Sequence, residues 1–298
     1  MPLMPNPTLR LFIGAALISL SPVWVQLVSV SPTSSGFYRV LIGGLALAVY
    51  LVLSGSRLQL SRRTWKILLL AAVFFAFDLW LWHRSINYIG PGLSTLLANF
   101  QVFIMTAVGV VLMRQAPRPL QLLAIPLAFF GLSLIVGFDW RSLPPDYRLG
   151  VIFGLLTAVA YAGYLLSLRA SRQGSTHRVP TREVAVISLV TAALLGMSAF
   201  LEGESLAITA PQDAVWLVCY GILSHCIGWL FIASSLPHVS TTEAGLALLL
   251  QPTLSFVWDV LFFARPMSAM ELAGAAIALF AIFLGARPAS QQAQGVRQ

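Results

Sequence analysis

Several residues that could do chemistry stand in apolar surroundings. Asp78 lies inside Phe74-Phe75-Ala76-Phe77-Asp78-Leu79-Trp80, Arg39 follows Phe37-Tyr38, and His225 has Trp229 one turn further on. A charged aspartate at the centre of a hydrocarbon span costs at least about 2.5–3.5 kcal/mol, so Asp78 must be paired, protonated or turned towards a cavity. Two readings follow: a proton-coupling or substrate-amine site, or a structural ion pair with Arg39. An imidazole beside an indole can bind a cation or relay a proton, and a neutral His225 bonded to another helix explains it as well. Asp259 continues a stripe of Gln251 and Ser255 at four-residue spacing, which in a lipid span faces a cavity or another helix.

Neutral groups extend this set. Gln101 and Gln251 each stand about ten residues into an apolar run, with Asn99 and Thr106 near the first. An unpartnered amide in hydrocarbon is costly, so both should face the space between helices, at a substrate or at a neighbouring helix. Trp24, Tyr38, Tyr161 and Tyr164 are either packing aromatics or the walls of a solute cavity. Trp80, Trp82, His83 and Arg84 read first as an interfacial belt with a snorkelling cation, and second as a gate. Glu243 reads as a helix-start carboxylate, with a gate as the second choice.

Rival chemistries lack their motifs. There is no Gly-x-Ser-x-Gly elbow and no His-Glu-x-x-His pair, which an intramembrane enzyme would need. No phosphate-binding Gly-x4-Gly-Lys loop occurs, and no glycine-rich filter of a passive channel. Cys219 and Cys226 form no disulfide framework, and no metal or cofactor is expected.

The elements that hold these residues follow from composition. Of 298 residues, 58% are hydrophobic and 9% charged, which excludes a soluble globular domain. The net charge of +8 is spread over too many segments for a nucleic-acid footprint. A ruler of about 20 apolar residues per helix gives ten spans, near 9–29, 34–54, 65–87, 92–113, 119–138, 149–169, 181–201, 212–236, 242–263 and 268–286. Of the 18 Lys and Arg, thirteen flank one side of these spans, which is read as cytoplasmic and holds both termini. A shift of 150 residues places Ser85 on Ser235, Gln101 on Gln251 and Phe130 on Phe280. Five helices per half is odd, so the halves are expected to be inverted. The fold class is therefore an all-α membrane protein of ten transmembrane helices in two inverted five-helix repeats, 1–138 and 149–287, with a polar tail at 288–298.

The chain resembles the drug/metabolite transporter superfamily, specifically the ten-helix EamA-type exporters. The likeness rests on Ser21-Pro22-Val23-Trp24, Phe37-Tyr38-Arg39, Trp82-His83-Arg84-Ser85, Leu250-Gln251-Pro252 and Glu271-Leu272-Ala273-Gly274. Where that family often has Gly-Glu after its fourth and ninth helices, this chain has Met113-Arg114 and Ala264-Arg265. The resemblance implies a secondary transporter in the cell (inner) membrane exporting a small organic solute, with the lipid bilayer as its surroundings and a proton as a candidate coupling ion. A single chain holds both halves, so a monomer suffices and a dimer is not required.

Overall fold

The computed structural model describes residues 6–55, 60–112, 114, 119–172, 180–235, 238–239 and 241–286. Proline and capping side chains start its helices. The Asn6 side chain accepts from the N–H groups of Thr8 and Leu9 at the head of α1, Pro7–Ser19. Ser31 and Ser61 cap α3, Pro32–Leu53, and α4, Arg62–Ile89, in the same way. Proline, whose missing N–H is no loss in a first turn, also opens α5, Pro91–Ala98, α8, Pro145–Ser171, and α10, Pro211–Cys219. The remaining helices are α2, Ser21–Leu27, α6, Gln101–Val111, α7, Pro119–Val136, α9, Thr181–Leu201, α11, Trp229–Ser235, α12, Thr241–Phe263, and α13, Ala269–Ala286.

Among the described residues, eight continuous or nearly continuous helical segments are long and apolar enough to cross a membrane, and Leu249–Phe263 and Ala269–Gly285 are shorter apolar helices. Three of the eight are interrupted. α1 and α2 meet at a turn on Leu20, α5 and α6 at a turn on Asn99–Phe100, and α10 and α11 are joined by a π-helical stretch, Tyr220–Gly228.

Packing joins the first half to the second at almost every major contact. α4 lies along α8, α3 along α9, α7 along α13, and α1 against α11, α12 and the π stretch. The two largest apolar clusters among the described residues lie around Leu93, Leu97 and Ala278 and around Leu68, Phe75 and Ile187. Small residues let the backbones meet. A Cβ on Gly131 of α7 would stand 2.7 Å from the Gly274 carbonyl of α13, and one on Gly274 would stand 2.6 Å from the Gly131 carbonyl. This close approach explains Gly274 in its motif. Ala264, after α12, takes φ 49°, and Arg114, after α6, takes φ 53°. Both sit at the positions where the sequence departs from Gly-Glu, and an L side chain in that conformation costs about 1–2 kcal/mol.

Gly274→Val should therefore force α7 and α13 apart, with a loss of about 1–3 kcal/mol from overpacking. A lowered melting temperature of the purified protein in detergent checks this, and an unchanged one would show that the crossing is not tight.

Candidate functional site

The interruptions and the crossing of the halves enclose a cavity of about 430 Å3. Each wall is set by helical spacing. α4 presents Phe75, Asp78 and Trp82, and α8 presents Tyr161, Tyr164, Leu165 and Leu168, each at intervals of one turn. The α1–α2 turn contributes Ser19, Ser21 and Pro22, while the end of α5 contributes Thr95 and Asn99. The π stretch and α11 add Ser224, His225 and Trp229, α12 adds Gln251 and Ser255, and α3 adds Arg39.

One wall is aromatic. Tyr161 stacks on Tyr164 at 5.9 Å, Tyr164 on Phe75 at 4.6 Å, and Phe75 on His225 at 6.0 Å. His225 Nε2 and Ser188 Oγ share a hydrogen bond of 2.8 Å, which fixes the ring at the end of the stack. Gly43 makes room for that ring: a Cβ there would fall 2.4 Å from His225 Cδ2.

The opposite wall is polar and uncharged. Ser21 Oγ and Thr95 Oγ1 are buried without a hydrogen-bond partner among the described residues. Asn99 donates to the Thr95 carbonyl at 2.8 Å, which leaves its own carbonyl oxygen for another donor. Buried polar atoms of native proteins are nearly always satisfied, so such a cluster marks a place for water or a ligand.

Arg39 and Asp78 also line the cavity. No N–O distance within 4.0 Å joins them among the described residues, so the structural ion pair expected as one reading does not form. Arg39 is held from elsewhere. Its Nη1 donates to Tyr220 Oη at 3.0 Å, and its guanidinium lies 5.0 Å from the Tyr220 ring and 5.5 Å from the Trp82 ring. His83 Nδ1 donates to the Leu79 carbonyl at 2.7 Å, since a carbonyl can only accept. His83 Nε2 then accepts from Tyr220 Oη at 3.2 Å, so one polar chain runs from Arg39 through Tyr220 and His83 to the α4 backbone.

Several expected site residues lie elsewhere. Trp24 stands behind the wall, donating from Nε1 to Ser224 Oγ at 3.1 Å and stacking on Trp216. Tyr38 donates to the Leu206 carbonyl at 2.6 Å, outside the cavity. Gln101 also falls outside, because the turn at Asn99–Phe100 restarts the helix and gives Asn99 the inward place. Its Oε1 is buried without a partner. Asp259 accepts from the Gly92 N–H at 3.0 Å and pairs with Arg265 at 3.2 Å, tying α12 to α5. Glu243 begins α12, with its side chain outside the described residues. Trp82, expected in an interfacial belt, lines the cavity instead, and so does Thr95, which the sequence reading does not mark. One-turn spacing from Asp78 and Asn99 is the sequence signal that could have found them.

The interfacial-belt reading of Arg84 is also corrected. Arg84 pairs with Glu202 and, at 3.3 Å, with Glu204, and covers the Trp80 ring at 3.9 Å. Trp80 Nε1 and Ser198 Oγ donate to Glu202 at 2.7 and 2.6 Å, and Thr33 Oγ1 at 3.2 Å. His83 is fully buried beneath this cluster. The cluster stands at one end of the bundle as a candidate seal, while the cavity lining reaches towards the other end at Leu168 and Pro180. Burial pushes the Glu202 carboxyl up, but the bonds from Ser198, Trp80 and Thr33 and the Arg84 charge outweigh it and hold the carboxyl below its ordinary value.

The sequence profile of the EamA-like transporter family matches residues 8–137 and again residues 148–286. A solved crystal structure of a protein 18% identical in sequence superposes with a TM-score of 0.67, over 94% of this chain and 97% of its own, which shows a shared fold. No curated protein matches the sequence.

A lowered acid stabilises the state that ionises it above its ordinary pKa of 4.5, and that contribution is lost as pH falls through the lowered value. The sealed end should thus stay closed from neutral pH down to about pH 4.5 and loosen only below it. Thr95→Cys in a variant with Cys219 and Cys226 replaced by alanine supplies the probe. Impermeant thiol reagent added on the Glu202 side should label it faster below that pH, and at pH 7 once Glu202→Gln is added. Labelling unaffected by either change would show that the cluster is no seal.

Proposed function

The chain belongs to the EamA-like transporter family, and from that premise we propose that it is a secondary transporter exporting a small organic metabolite, an amino acid or drug-like solute. It works across the cytoplasmic membrane by alternating access, with a proton as coupling ion. The observation that carries this reading is a cavity lined from both halves at three helix interruptions. Discontinuous helices meeting between repeats are the usual setting of a transporter's central site.

The interrupted pairs count as single spans, and the two shorter apolar helices complete ten. The contacts support a two-repeat arrangement, and an odd number of five spans per half is what inverts the second repeat in this scheme. Exchanging the halves maps the α4–α8 pair onto the pair of α1 with the π stretch, and maps α3–α9 and α7–α13 onto themselves. With thirteen of the 18 cations on the side of the termini, that side is cytoplasmic. The Arg84 cluster then closes the outer end, and the cavity reaches towards the cytoplasm, the loading side for an exporter.

Asp78 is the coupling group in this scheme. It lines the cavity, is nearly buried, and makes no hydrogen bond or ion pair among the described residues. A carboxyl so placed can exchange a proton with whichever side the cavity faces. Trp229, His225 and Gln251 serve as further contacts for the solute.

Two measurements test the reading. Counterflow of a labelled solute into proteoliposomes should be seen with the wild type. Asp78→Asn should abolish gradient-driven accumulation while exchange between equal, saturating pools continues. Driven accumulation by the Asn variant would remove the proton from Asp78. For orientation, Ser142→Cys in the cysteine-free background should be labelled from outside intact cells, and labelling only after permeabilisation would reverse the topology.

A further inference from the structure

Arg39 and the Asp78 carboxyl face one cavity without a bond between them among the described residues. Arg39 is fastened at one nitrogen only, Nη1 on Tyr220, and its Nε–H is buried without a partner. A guanidinium has five N–H donors in a planar fork that matches a carboxylate, so this one is under-used. Asp78 likewise has acceptor capacity and no donor among the described residues. Beside the two charges runs the flat stack of Phe75, Tyr164 and Tyr161.

We propose that Arg39 and Asp78 form a receptor for a zwitterionic solute, its carboxylate on Arg39, its ammonium on Asp78 and a flat ring on the aromatic stack. A simple anion at Arg39 would meet the repulsion of Asp78, and a simple cation at Asp78 would meet that of Arg39. A dipolar solute satisfies both charges at once and leaves neither uncompensated in an apolar setting. The aromatic wall sets the second requirement, because a planar ring gains offset stacking that an aliphatic body does not. Tyr220 and His83 are positioning residues. Their hydrogen-bond chain aims the guanidinium and leaves its other donors free.

This inference rests on the transporter reading for its physiological use, but binding is measured without transport. Quenching of tryptophan fluorescence in the purified full-length protein, where Trp82 and Trp229 line the cavity, would compare three congeners of one ring: phenylalanine, phenethylamine and 3-phenylpropionate. Phenylalanine should bind the wild type at least about tenfold more tightly than either singly charged congener, as expected of two charge-assisted contacts against one. Arg39→Gln should invert the order in favour of phenethylamine, and Asp78→Asn in favour of 3-phenylpropionate. Arg39→Lys and Asp78→Glu retain the charges, and each should keep the wild-type order at reduced affinity. Equal affinity of the wild type for all three, no binding of any, or an equal loss of all three in each charge-removing variant would overturn the receptor. If the inverted orders are found but phenylalanine shows no counterflow, the receptor stands and the transport reading falls.

Discussion

A hydrocarbon surrounding supplies no hydrogen bonds, so every interrupted helix and every charge in this bundle must be satisfied from within. That constraint links the breaks to the cavity. The α1–α2 turn frees carbonyl groups, and the other half supplies their donors: Ser224 Oγ to the Leu17 carbonyl at 2.7 Å and Ser255 Oγ to the Ser19 carbonyl at 3.2 Å. Trp258 Nε1 adds a bond to Ser19 Oγ at 2.9 Å. Without the second half in place the first half's break would be an unsatisfied polar defect. Each half is thus a partner that the other needs before its own backbone is complete.

The same interleaving makes the cavity wall sensitive to how the halves are placed. Phe75 belongs to the first half, and its two stacking neighbours, Tyr164 and His225, belong to the second. Glycines keep the halves in close register: a Cβ on Gly14 would fall 2.8 Å from the Gly228 carbonyl. Packed contacts of this kind tolerate discrete rearrangements better than gradual drift. A rocking of one half against the other would part the Phe75 stack and the Arg84–Glu202 pair together, because both cross the same boundary. Under such a displacement the aromatic wall and the Arg84–Glu202 pair would open as one.

Much of this was legible in the sequence, and the omissions have physical causes. Apolar run length located the helical segments, and the depth of Asp78, His225 and Gln251 in those runs led to residues that line the cavity. Depth alone misjudged Gln101, because the turn at Asn99–Phe100 resets the helical phase and a 150-residue shift assumes an unbroken helix. Tyr38 and Asp259 carry no sequence mark of their partners, the Leu206 carbonyl and Arg265 with the Gly92 N–H. Arg84 looked like a snorkelling cation because Glu202 and Glu204 are about 120 residues away. Local periodicity cannot report a pairing that depends on which helix ends meet.

The separation of Arg39 from Asp78 has its own explanation in how Arg39 is held. A desolvated guanidinium would ordinarily draw the nearest carboxylate into contact. Here the ring faces of Trp82 and Tyr220 take up part of that demand, at about 2 kcal/mol for a desolvated cation–π contact, while Tyr220 Oη accepts one N–H. Tyr220 Oη accepts from Arg39 while its own O–H donates to His83 Nε2, which is free to accept because the Leu79 carbonyl holds the ring proton on Nδ1. Each member of the chain has its polarity set by the next, down to a backbone carbonyl that has no alternative role. Arg39 is thereby stabilised without Asp78, and Asp78 keeps its oxygens for whatever enters the cavity.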